Sequence, residues 1–508
     1  MELWLLVVAL AVSLLYYLSI LRRYARGGGS KAPLPPGPTP LPLIGNLHNL
    51  RGDVIHHRLT SLARVHGPVM LLRFGLTRAV VISSRDAAAE AYTKHDRRLA
   101  ARLIRDTSRA YGLSERSTIW LPSSNPRWKT LRGIQATHLF SPRGMAAVHA
   151  IRERKVRDIV AYFRSRAGNG EEVLFGQAIY SGVLNLVSSS FFSVNMIGAG
   201  SEESHGLRDL VEDLLTAVTK PNVSDIFPFL QPFDLQGIRR WTAKRLEKAF
   251  GILNGIIDRR LADYDSANGA GSTEKGSNND FLDALLGLVS DGKMAREDVT
   301  VLLLEIFGAG SDTMSVSLEW AMAELLRNPD AMAKVRAELK DVLGDKKALE
   351  EADAARLPYL QAVLKESMRL HPVGPILLPH YAEEDGVVIG GYAVPKDTAV
   401  LFNASAIMRD PAAWEKPDEF MPERFMRSEH SFDFRGKDFE FIPFGSGRRL
   451  CPGVPLAERL VPFILASLLH AFEWRLPGGM SAHEMDLTER FSTTNCLAVP
   501  LKVVLTIN

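Results

Sequence analysis

The chain lacks the features that mark several large classes of protein. Its 508 residues include only two cysteines, Cys451 and Cys496, which excludes a disulfide framework and indicates a reducing compartment. The net charge is only +3, and no basic stripe is interleaved with aromatic residues, so the sequence excludes nucleic acid as a partner. No CxxC or HExxH pattern supports a zinc site, and no GxGxxG fingerprint supports binding of a dinucleotide.

What is present is the composition of a folded protein, with 46% hydrophobic and 23% charged residues, long enough for several domains or one large one. Most of the chain has helical periodicity, whereas short β-branched runs at 79–82 and 399–402 predict strands. The sequence therefore predicts a mainly α fold with a small β portion. A polar segment rich in Ser, Gly and Asn, residues 265–279, predicts a disordered loop between helices.

The N-terminus has the features of a transmembrane anchor, predicted at residues 1–21. Residues 3–21 are almost wholly apolar, and at about 1.5 Å per residue they give roughly 28 Å, close to the hydrocarbon thickness of a bilayer. A basic cluster follows at 22–31, so the positive-inside rule predicts that the rest of the chain faces the cytosol. The alternative is a cleaved signal peptide, which needs a cationic start that is absent and a cleavage site that the sequence matches poorly.

A basic and proline-rich linker is predicted at residues 22–43. Its six closely spaced prolines lock φ and lack amide donors, which predicts an extended, semi-rigid segment. Such a spacer would hold a globular body, beginning near residue 44, at a fixed pose against the membrane. A PxxP ligand for a partner domain is the alternative.

The ten residues 444–453, Phe-Gly-Ser-Gly-Arg-Arg-Leu-Cys-Pro-Gly, are the most informative stretch. Cys451 comes just before an apolar helical run at 454–472, where unpaired amides and the positive end of the helix dipole stabilise a thiolate. The glycines let the backbone approach a flat ligand, and Arg449 can neutralise an anion. This combination favours a single axial ligand to iron over the alternative, a buried cysteine in a glycine turn.

This stretch resembles the haem-binding signature FxxGxRxCxG of the cytochrome P-450 superfamily. The matching positions are Phe444, Gly447, Arg449, Cys451 and Gly453. The resemblance covers essentially the whole chain after the anchor and implies a single large cytochrome P-450 fold, with a haem-thiolate monooxygenase domain at 44–508. It implies that these five residues bind haem b, with Cys451 as the axial ligand of the iron.

Three charged residues outside the cysteine motif are predicted to support the structure. Glu366 and Arg369 lie three residues apart on one helical face and can pair. Spacing alone favours a solvated salt bridge. The resemblance implies instead that Glu366, Arg369 and Arg424 form a buried ion triad beside the haem, with no part in catalysis.

A long helix is predicted at 299–326, apolar nearly all round and therefore buried. Two glycines weaken it, and Thr313 can turn its hydroxyl onto the carbonyl four residues earlier, which predicts a notch in the helix. A simple packing kink is the alternative. The resemblance implies that Asp312 and Thr313 are catalytic and relay protons to oxygen bound at the iron. Met314 departs from the family pattern, which usually has Thr or Ser there.

The resemblance assigns further residues to the haem and to the substrate. Trp128 and Arg132, on one helical face, are implied to bind one haem propionate, and His380 the other. The implied pocket residues are Ile104, Leu113, Phe307, Ala309, Val373, Leu377 and Thr494. They come from segments that are mostly apolar, which fits a hydrocarbon-like ligand.

An apolar, proline-broken segment at 226–233 predicts a loop that dips into the membrane beside an access channel. Ordinary core is the alternative. Because lipophilic molecules partition into the bilayer, tethering to the membrane favours a lipophilic substrate.

Local sequence narrows the resemblance to one branch. Residues 379–386, 389–396 and 403–411 resemble the plant microsomal branch that contains geraniol-hydroxylase-like enzymes, and they resemble grass diterpenoid hydroxylases most. Ser405 departs from that branch, which usually has Trp at this position. Members oxidise terpenoids, whereas relatives take phenolics and alkaloids.

The resemblance therefore implies a monooxygenase of plant specialised metabolism that uses O2 to hydroxylate a terpenoid, with diterpenoids favoured. Electrons are implied to come from NADPH through cytochrome P-450 reductase, with cytochrome b5 as a second partner. The expected location is the endoplasmic reticulum membrane, with a single span and the catalytic domain facing the cytosol. The pair Asp312–Thr313 argues against a hydroperoxide-rearranging haem enzyme that needs no reductase, and the predicted notch argues against a haem sensor or carrier.

Overall fold

The computed structural model describes residues 32–52, 54–168, 170–196, 202–269, 280–427, 431–491 and 493–508. The predicted anchor at 1–21 and the basic part of the predicted linker, 22–31, lie outside these ranges. The proline-rich remainder of the linker runs along the body, because the carbonyl of Pro36 accepts from the Leu71 amide and that of Pro33 from the Ala393 amide, both at 2.8 Å.

Most of the described chain is helical, as predicted. The α-helices are α1 (Ile55–His66), α2 (Arg85–Lys94), α3 (Asp96–Leu99), α4 (Pro126–Ile134), α5 (Pro142–Ala147), α6 (His149–Arg166), α7 (Phe175–Phe192), α8 (Glu202–Thr219), α9 (Val223–Ile226), α10 (Ile238–Gly269), α11 (Phe281–Ser290), α12 (Arg296–Arg327), α13 (Pro329–Leu343), α14 (Glu351–Ala354), α15 (Pro358–Leu370), α16 (Ala404–Met408), α17 (Arg424–Arg427) and α18 (Val454–Ala471). Shorter 3-10 segments lie at Leu47–Leu50, Asp106–Glu115, Pro228–Phe233, Gly447–Arg449, Pro477–Gly479 and Ala482–Glu484, and a π-helical turn lies at Gln135–Leu139.

The β portion is small and lies at the edges of the helical body. The strands are β1 (Val69–Phe74), β2 (Thr77–Ile82), β3 (Ala101–Arg102), β4 (Val173–Leu174), β5 (His380–Tyr381), β6 (Val387–Ile389), β7 (Tyr392–Val394), β8 (Thr398–Phe402), β9 (Phe472–Arg475), β10 (Glu489–Phe491), β11 (Asn495–Leu497) and β12 (Lys502–Ile507). The largest sheet has the order β1-β2-β8-β5-β3, in which only the β2–β8 pair is parallel. The strands predicted at 79–82 and 399–402 are confirmed as parts of β2 and β8.

The long helix α12 passes through the core and confirms the helix predicted at 299–326. Glu297 and Asp298 in its first turn and Arg327 in its last complement the helix dipole. It packs against α7, α15 and α18. Among the described residues, α12 and α18 are long and apolar enough to cross a membrane, but both are mostly buried inside the fold and act as core helices.

Two predicted boundaries need correction. The loop predicted at 265–279 is wrong for residues 265–269, which belong to α10, while 270–279 lie outside the described ranges. Asp265 and Ser266 are exposed on the helix, so the polar composition there reflects a solvated helix end. The apolar run predicted to be helical to residue 472 ends at Ala471, because Phe472 begins β9 and pairs with Ile507.

Glu366 on α15 holds two arginines in the core. Its Oε2 accepts from Nε of Arg369 at 2.7 Å, and its Oε1 accepts from Nε of Arg424 at 3.0 Å. Glu366 and Arg369 are fully buried. Arg369 also donates to the carbonyls of Met408 at 2.9 Å and Pro417 at 2.7 Å, so this group ties α15 to the chain that leads toward the cysteine turn.

Glu366→Gln is expected to reduce the free energy of unfolding by about 3–5 kcal/mol, because two guanidinium groups would lose their counter-charge in the core. Denaturant unfolding measures the loss. Glu419→Gln is the matched control, since the Glu419 side chain is 58% exposed and pairs with the exposed Lys416, and it should cost less than about 1 kcal/mol. Equal losses in the two variants would contradict a structural role for the buried group.

Candidate active site

A cavity of about 560 Å³ lies between α12, α4 and the turn at 444–453. Most of its lining is apolar, with Ile306 on α12, Val373 after α15 and Leu401 on β8 as examples. Cys451 lies on the side of the cavity that is formed by the turn at 444–453, and we call this side the floor.

The shape of the turn places Cys451 on this floor. The Cys451 amide donates to the carbonyl of Phe444 at 3.1 Å, which closes the turn before α18 begins. Gly447 has a φ of +62°, and a Cβ at this position would lie 2.3 Å from a carboxylate oxygen of Asp96. Both the backbone conformation and the contact require glycine there.

The Cys451 thiol is buried, and its surroundings suit a metal-bound thiolate. Burial raises the pKa of the Cys451 thiol, whereas hydrogen bonds from the amides of Gly453 and Val454 and the charge of Arg132 lower it. The helix end therefore favours a negative sulfur, as its sequence predicted, but burial outweighs that effect. Deprotonation is favoured when a cation such as an iron ion binds the sulfur.

Arg132 and Arg449 lie at the border of the floor, and the guanidinium group of each lies over the ring of Trp128. Arg132 donates to the carbonyl of Leu450 at 2.8 Å, and Arg449 donates to the carbonyl of Thr118 at 3.1 Å. Their guanidinium carbons lie 5.7 Å and 4.9 Å from the centre of the Trp128 ring, and the indole N–H itself donates to the carbonyl of Thr118 at 3.0 Å. Trp128 thus orients both cations through cation–π contacts.

A further arginine, Arg102, reaches the same border, and the sequence analysis missed it. The pairing of β3 with β5 sets Arg102 opposite His380. Burial lowers the pKa of Arg102 to about 10, and its Nε is buried without a hydrogen-bond partner. No local pattern marks this residue, since only the register of two strands far apart in the chain brings it to the floor.

His380 is buried beside Arg102. Its Nδ1 lies 2.9 Å from the carbonyl of Leu99, which can only accept, so the proton of the neutral ring belongs on Nδ1. Burial and the charge of Arg102 lower the pKa of His380 well below its usual range. The neutral ring then has no Nε2 proton to donate to a carboxylate, whereas the neighbouring arginines have several N–H donors.

Arg102, Arg132 and Arg449 give the floor an excess of buried positive charge. Burial lowers the pKa of Arg449 to about 9, and repulsion from Arg102 and Arg132 adds to this effect. Buried cations that repel one another require anions for stability. The propionates of a haem supply negative charge at this border, and Cys451 supplies a ligand for iron, so the residues present fit a haem on this floor.

On α12 the structure separates the two residues predicted to move protons. Thr313 lines the cavity and donates its hydroxyl to the carbonyl of Ala309 at 2.7 Å, four residues earlier. Asp312 is outside the cavity lining, since successive residues of a helix point about 100° apart. Burial raises the pKa of Asp312, against the effect of a hydrogen bond from Thr494. Met314 also lines the cavity.

The predicted pocket residues divide into two groups. Those that line the cavity are Ala309, Val373 and Leu377. Those outside its lining are Ile104, Leu113, Phe307 and Thr494. Phe307 is fully buried in the core and contacts Phe192, with ring centres 5.9 Å apart, while Thr493 lines the cavity in place of its neighbour.

Two charged residues, Arg105 and Glu305, also line the cavity, although neither was among the residues named for the pocket. Glu305 accepts from the hydroxyl of Thr118 at 2.6 Å and from its amide at 3.2 Å, which ties the chain before α4 to α12. Burial raises the pKa of Glu305. The apolar character of the residues around it on α12 concealed Glu305 in the sequence, and Arg105 lies in a segment without a clear pattern.

The segment at 226–233 forms the end of α9 and a 3-10 turn at the protein surface. Phe229 and Phe233 are 64% and 66% exposed, which contradicts the alternative that this segment is ordinary core. The Leu76 amide donates to the carbonyl of Ile226 at 3.1 Å, so the segment lies beside the turn between β1 and β2.

Comparisons with known proteins agree with this site. A family model described as Cytochrome P450 matches residues 35–497. Cytochrome P450 76M5 of Oryza sativa subsp. japonica is 73% identical over 506 residues, which cover 99% of this chain and 98% of that protein. Ent-cassadiene C11-alpha-hydroxylase 1 of the same organism is 63% identical over 503 residues, with 99% and 98% covered. Geraniol 8-hydroxylase of Swertia mussotii is 42% identical over 475 residues, with 93% of each chain covered.

These relatives confirm the predicted resemblance to grass diterpenoid hydroxylases and to geraniol-hydroxylase-like enzymes. The family model spans most of the described fold and includes the turn that carries Cys451. Haem is the cofactor that this family implies, in agreement with the charge and donor groups of the floor. The chain belongs to the cytochrome P450 family and is a cytochrome P450 monooxygenase.

Proposed function

We propose that this monooxygenase hydroxylates a lipophilic terpenoid of plant specialised metabolism, with a diterpenoid as the favoured class. The observation that carries the proposal is the mostly apolar cavity next to a floor that fits haem. Such a cavity buries a hydrocarbon skeleton without leaving many polar groups unpaired. The names of two relatives add support, since one acts on ent-cassadiene and another on geraniol.

The haem would be held by Cys451 at the iron and by Arg102, Arg132 and Arg449 at the propionates. Trp128 orients Arg132 and Arg449, and the Phe444–Cys451 hydrogen bond and Gly447 shape the turn that would face the haem. Gly453 precedes the first residue of α18, where its amide points toward the sulfur. When bound, haem supplies activation of molecular oxygen for insertion into a C–H bond.

Thr313, in the cavity lining, and Asp312, behind it on α12, would control protons at this part of the helix. The raised pKa of the buried Asp312 carboxyl, whose main cause is burial, lets it hold a proton at a higher pH than an exposed aspartate. Thr313 places a hydroxyl in the cavity lining.

Electrons would come from NADPH through cytochrome P450 reductase, with cytochrome b5 as a second partner. The proposed location is the endoplasmic reticulum membrane, with the anchor at 1–21, the linker at 22–43 and the catalytic domain in the cytosol. Exposed apolar side chains near the β1–β2 turn support contact with a membrane. They are Leu41, Leu43, Ile44, Phe229 and Phe233.

Product analysis tests the substrate class. The full chain, co-expressed with a plant reductase, is expected to convert at least one diterpene, such as ent-cassadiene, to a product with one added oxygen when NADPH is present. Parallel incubations use geraniol, a simple phenolic and an alkaloid. Conversion of the phenolic or the alkaloid alone would overturn the terpenoid proposal. Conversion of a fatty-acid hydroperoxide without NADPH would favour the reductase-independent alternative.

A further inference from the structure

The polar residues of the cavity lining are mostly accounted for by partners inside the protein. The Thr118 hydroxyl donates to Glu305 at 2.6 Å and accepts from the Gln135 side-chain amide at 3.4 Å. The hydroxyls of Thr313 and Ser317 donate to carbonyls of their own helix, at 2.7 and 2.9 Å. The arginines on the floor match the haem. Arg105 is a charged residue of the lining that has neither of these roles.

We propose that Arg105 is a specificity-determining residue that donates a hydrogen bond to an oxygen atom of the substrate, so that the preferred substrate is a terpenoid that already carries a hydroxyl or ketone group. The inference rests on the terpenoid function proposed above. It narrows the substrate from a hydrocarbon to an oxygenated terpenoid that is oxidised at a second position.

Arg105 has donors to spare. One of its terminal nitrogens donates to the carbonyl of Val218 at 2.8 Å, at the end of α8. Its other N–H groups have no hydrogen-bond partner within the described part of the chain, yet they are not among the atoms sealed from solvent. Arg105, Val218 and Thr219 all line the cavity. A ligand in the cavity can therefore reach N–H groups of Arg105.

The backbone next to Arg105 is held in place from several sides. The amide of Asp106 donates to Oδ1 of Asp225 at 2.7 Å, and Oδ1 of Asp106 accepts from Arg239 at 2.9 Å. The carbonyl of Asp225 in turn accepts from the hydroxyl of Thr77 at 3.0 Å. These bonds join α9, α10 and the strand β2 around the start of the 3-10 segment. Arg105 is thus positioned before a ligand arrives, which reduces the entropy lost on binding.

The charge around Arg105 favours a neutral oxygen over a carboxylate. Asp225 already lies close enough to interact with this positive charge: burial raises the pKa of its carboxyl, and the charges of Arg105 and Arg109 act against that effect. A substrate carboxylate would compete with Asp225 for this charge and would have to enter a mostly apolar cavity. A hydroxyl or ketone keeps the charge-assisted hydrogen bond without that cost.

The test compares a tricyclic diterpene hydrocarbon with its monohydroxylated and ketone derivatives in the full-length haem-loaded enzyme. Binding is followed by the change in the haem spectrum, and kcat/KM by product analysis with reductase. A hydrogen bond to a charged group corresponds to about 10- to 150-fold in affinity. The wild type should prefer the oxygenated ligands by a factor in that range. Arg105→Leu should lose the preference, with the hydrocarbon affinity unchanged.

Arg109→Leu is the matched control, because Arg109 lies in the 3-10 segment that begins directly after Arg105, is exposed and is outside the cavity lining. It should keep the preference. Equal weakening of all three ligands in Arg105→Leu would show that the residue only holds α8 in place and would overturn the inference, as would an unchanged preference. If the wild type bound none of the diterpenes, the proposed function itself would fail. Haem content per polypeptide reports whether each variant is folded.

Discussion

Replacing Cys451 with serine is expected to abolish stable haem incorporation and all NADPH-dependent turnover. Serine is close to cysteine in size, so the buried turn and its hydrogen bond from the Cys451 amide to Phe444 should persist. A loss of haem and of turnover would therefore be due to the sulfur atom alone. A serine hydroxyl keeps its proton far above neutral pH and supplies neither the negative charge nor the soft ligand that holds the iron in this family.

Haem content per polypeptide after purification measures this effect. Cys496→Ser is the matched control, since Cys496 lies outside the cavity lining. Its sulfur lies 3.6 Å from a side-chain nitrogen of Arg490 and donates to the Arg490 carbonyl at 3.3 Å. That variant should bind haem as the wild type does. Full haem content and turnover in Cys451→Ser would contradict the assignment of the iron ligand.

The cysteine turn could be predicted from the sequence because the pattern that marks it is local, although Asp96 and Arg132 from elsewhere in the chain also hold it. The glycines, Cys451 and the start of α18 lie close together in the sequence, and two short-range backbone hydrogen bonds, from Cys451 to Phe444 and from Leu450 to Gly447, close the turn. The helix α12 was predictable for the same reason, since its apolar periodicity extends over many turns. Short-range patterns of this kind are visible in the sequence without knowledge of the tertiary contacts.

Arg102 and Arg105 could not be predicted because long-range pairing decides their roles. Arg102 is set on the floor by the register of β3 against β5, and β5 itself pairs with β8. Arg105 depends on its contact with Val218 at the end of α8. Neither residue has a sequence neighbour that reveals these partners. Charged residues in short strands and irregular segments therefore need the structure before a function can be assigned.

The sequence also placed some residues too close to the substrate. Phe307 faces the core because the cavity meets only one side of α12, and the periodicity of an all-apolar helix cannot identify that side. Thr494 contacts Asp312 instead of the cavity. This contact gives the tip between β10 and β11 a role that its sequence did not suggest, since it holds the carboxyl that is proposed to supply protons.

Asp312→Asn is expected to lower turnover by about 10²–10⁴-fold, the range typical of a lost acid or base, while substrate affinity stays near the wild-type value. Affinity is spared because Asp312 lies outside the cavity lining. The amide keeps the size of the side chain and its contact with Thr494 but cannot release a proton. In the wild type, the rate should fall as pH rises through the pKa of Asp312, which burial raises, because the carboxyl then loses the proton that it supplies.

That falling limb should be absent in Asp312→Asn, and the rate of NADPH-dependent product formation, followed across pH, measures both effects. Thr313→Ala should consume NADPH with less product, because the hydroxyl in the cavity wall is lost. Ser317→Ala is the matched control, since Ser317 also lines the cavity and donates to the carbonyl of Thr313 at 2.9 Å, yet it has no proposed part in proton transfer. If protons pass through this pair, Asp312→Asn and Thr313→Ala should both form less product, whereas Ser317→Ala should form as much product per NADPH as the wild type. Similar losses in all three variants would instead mean that the hydroxyls serve only the packing of α12.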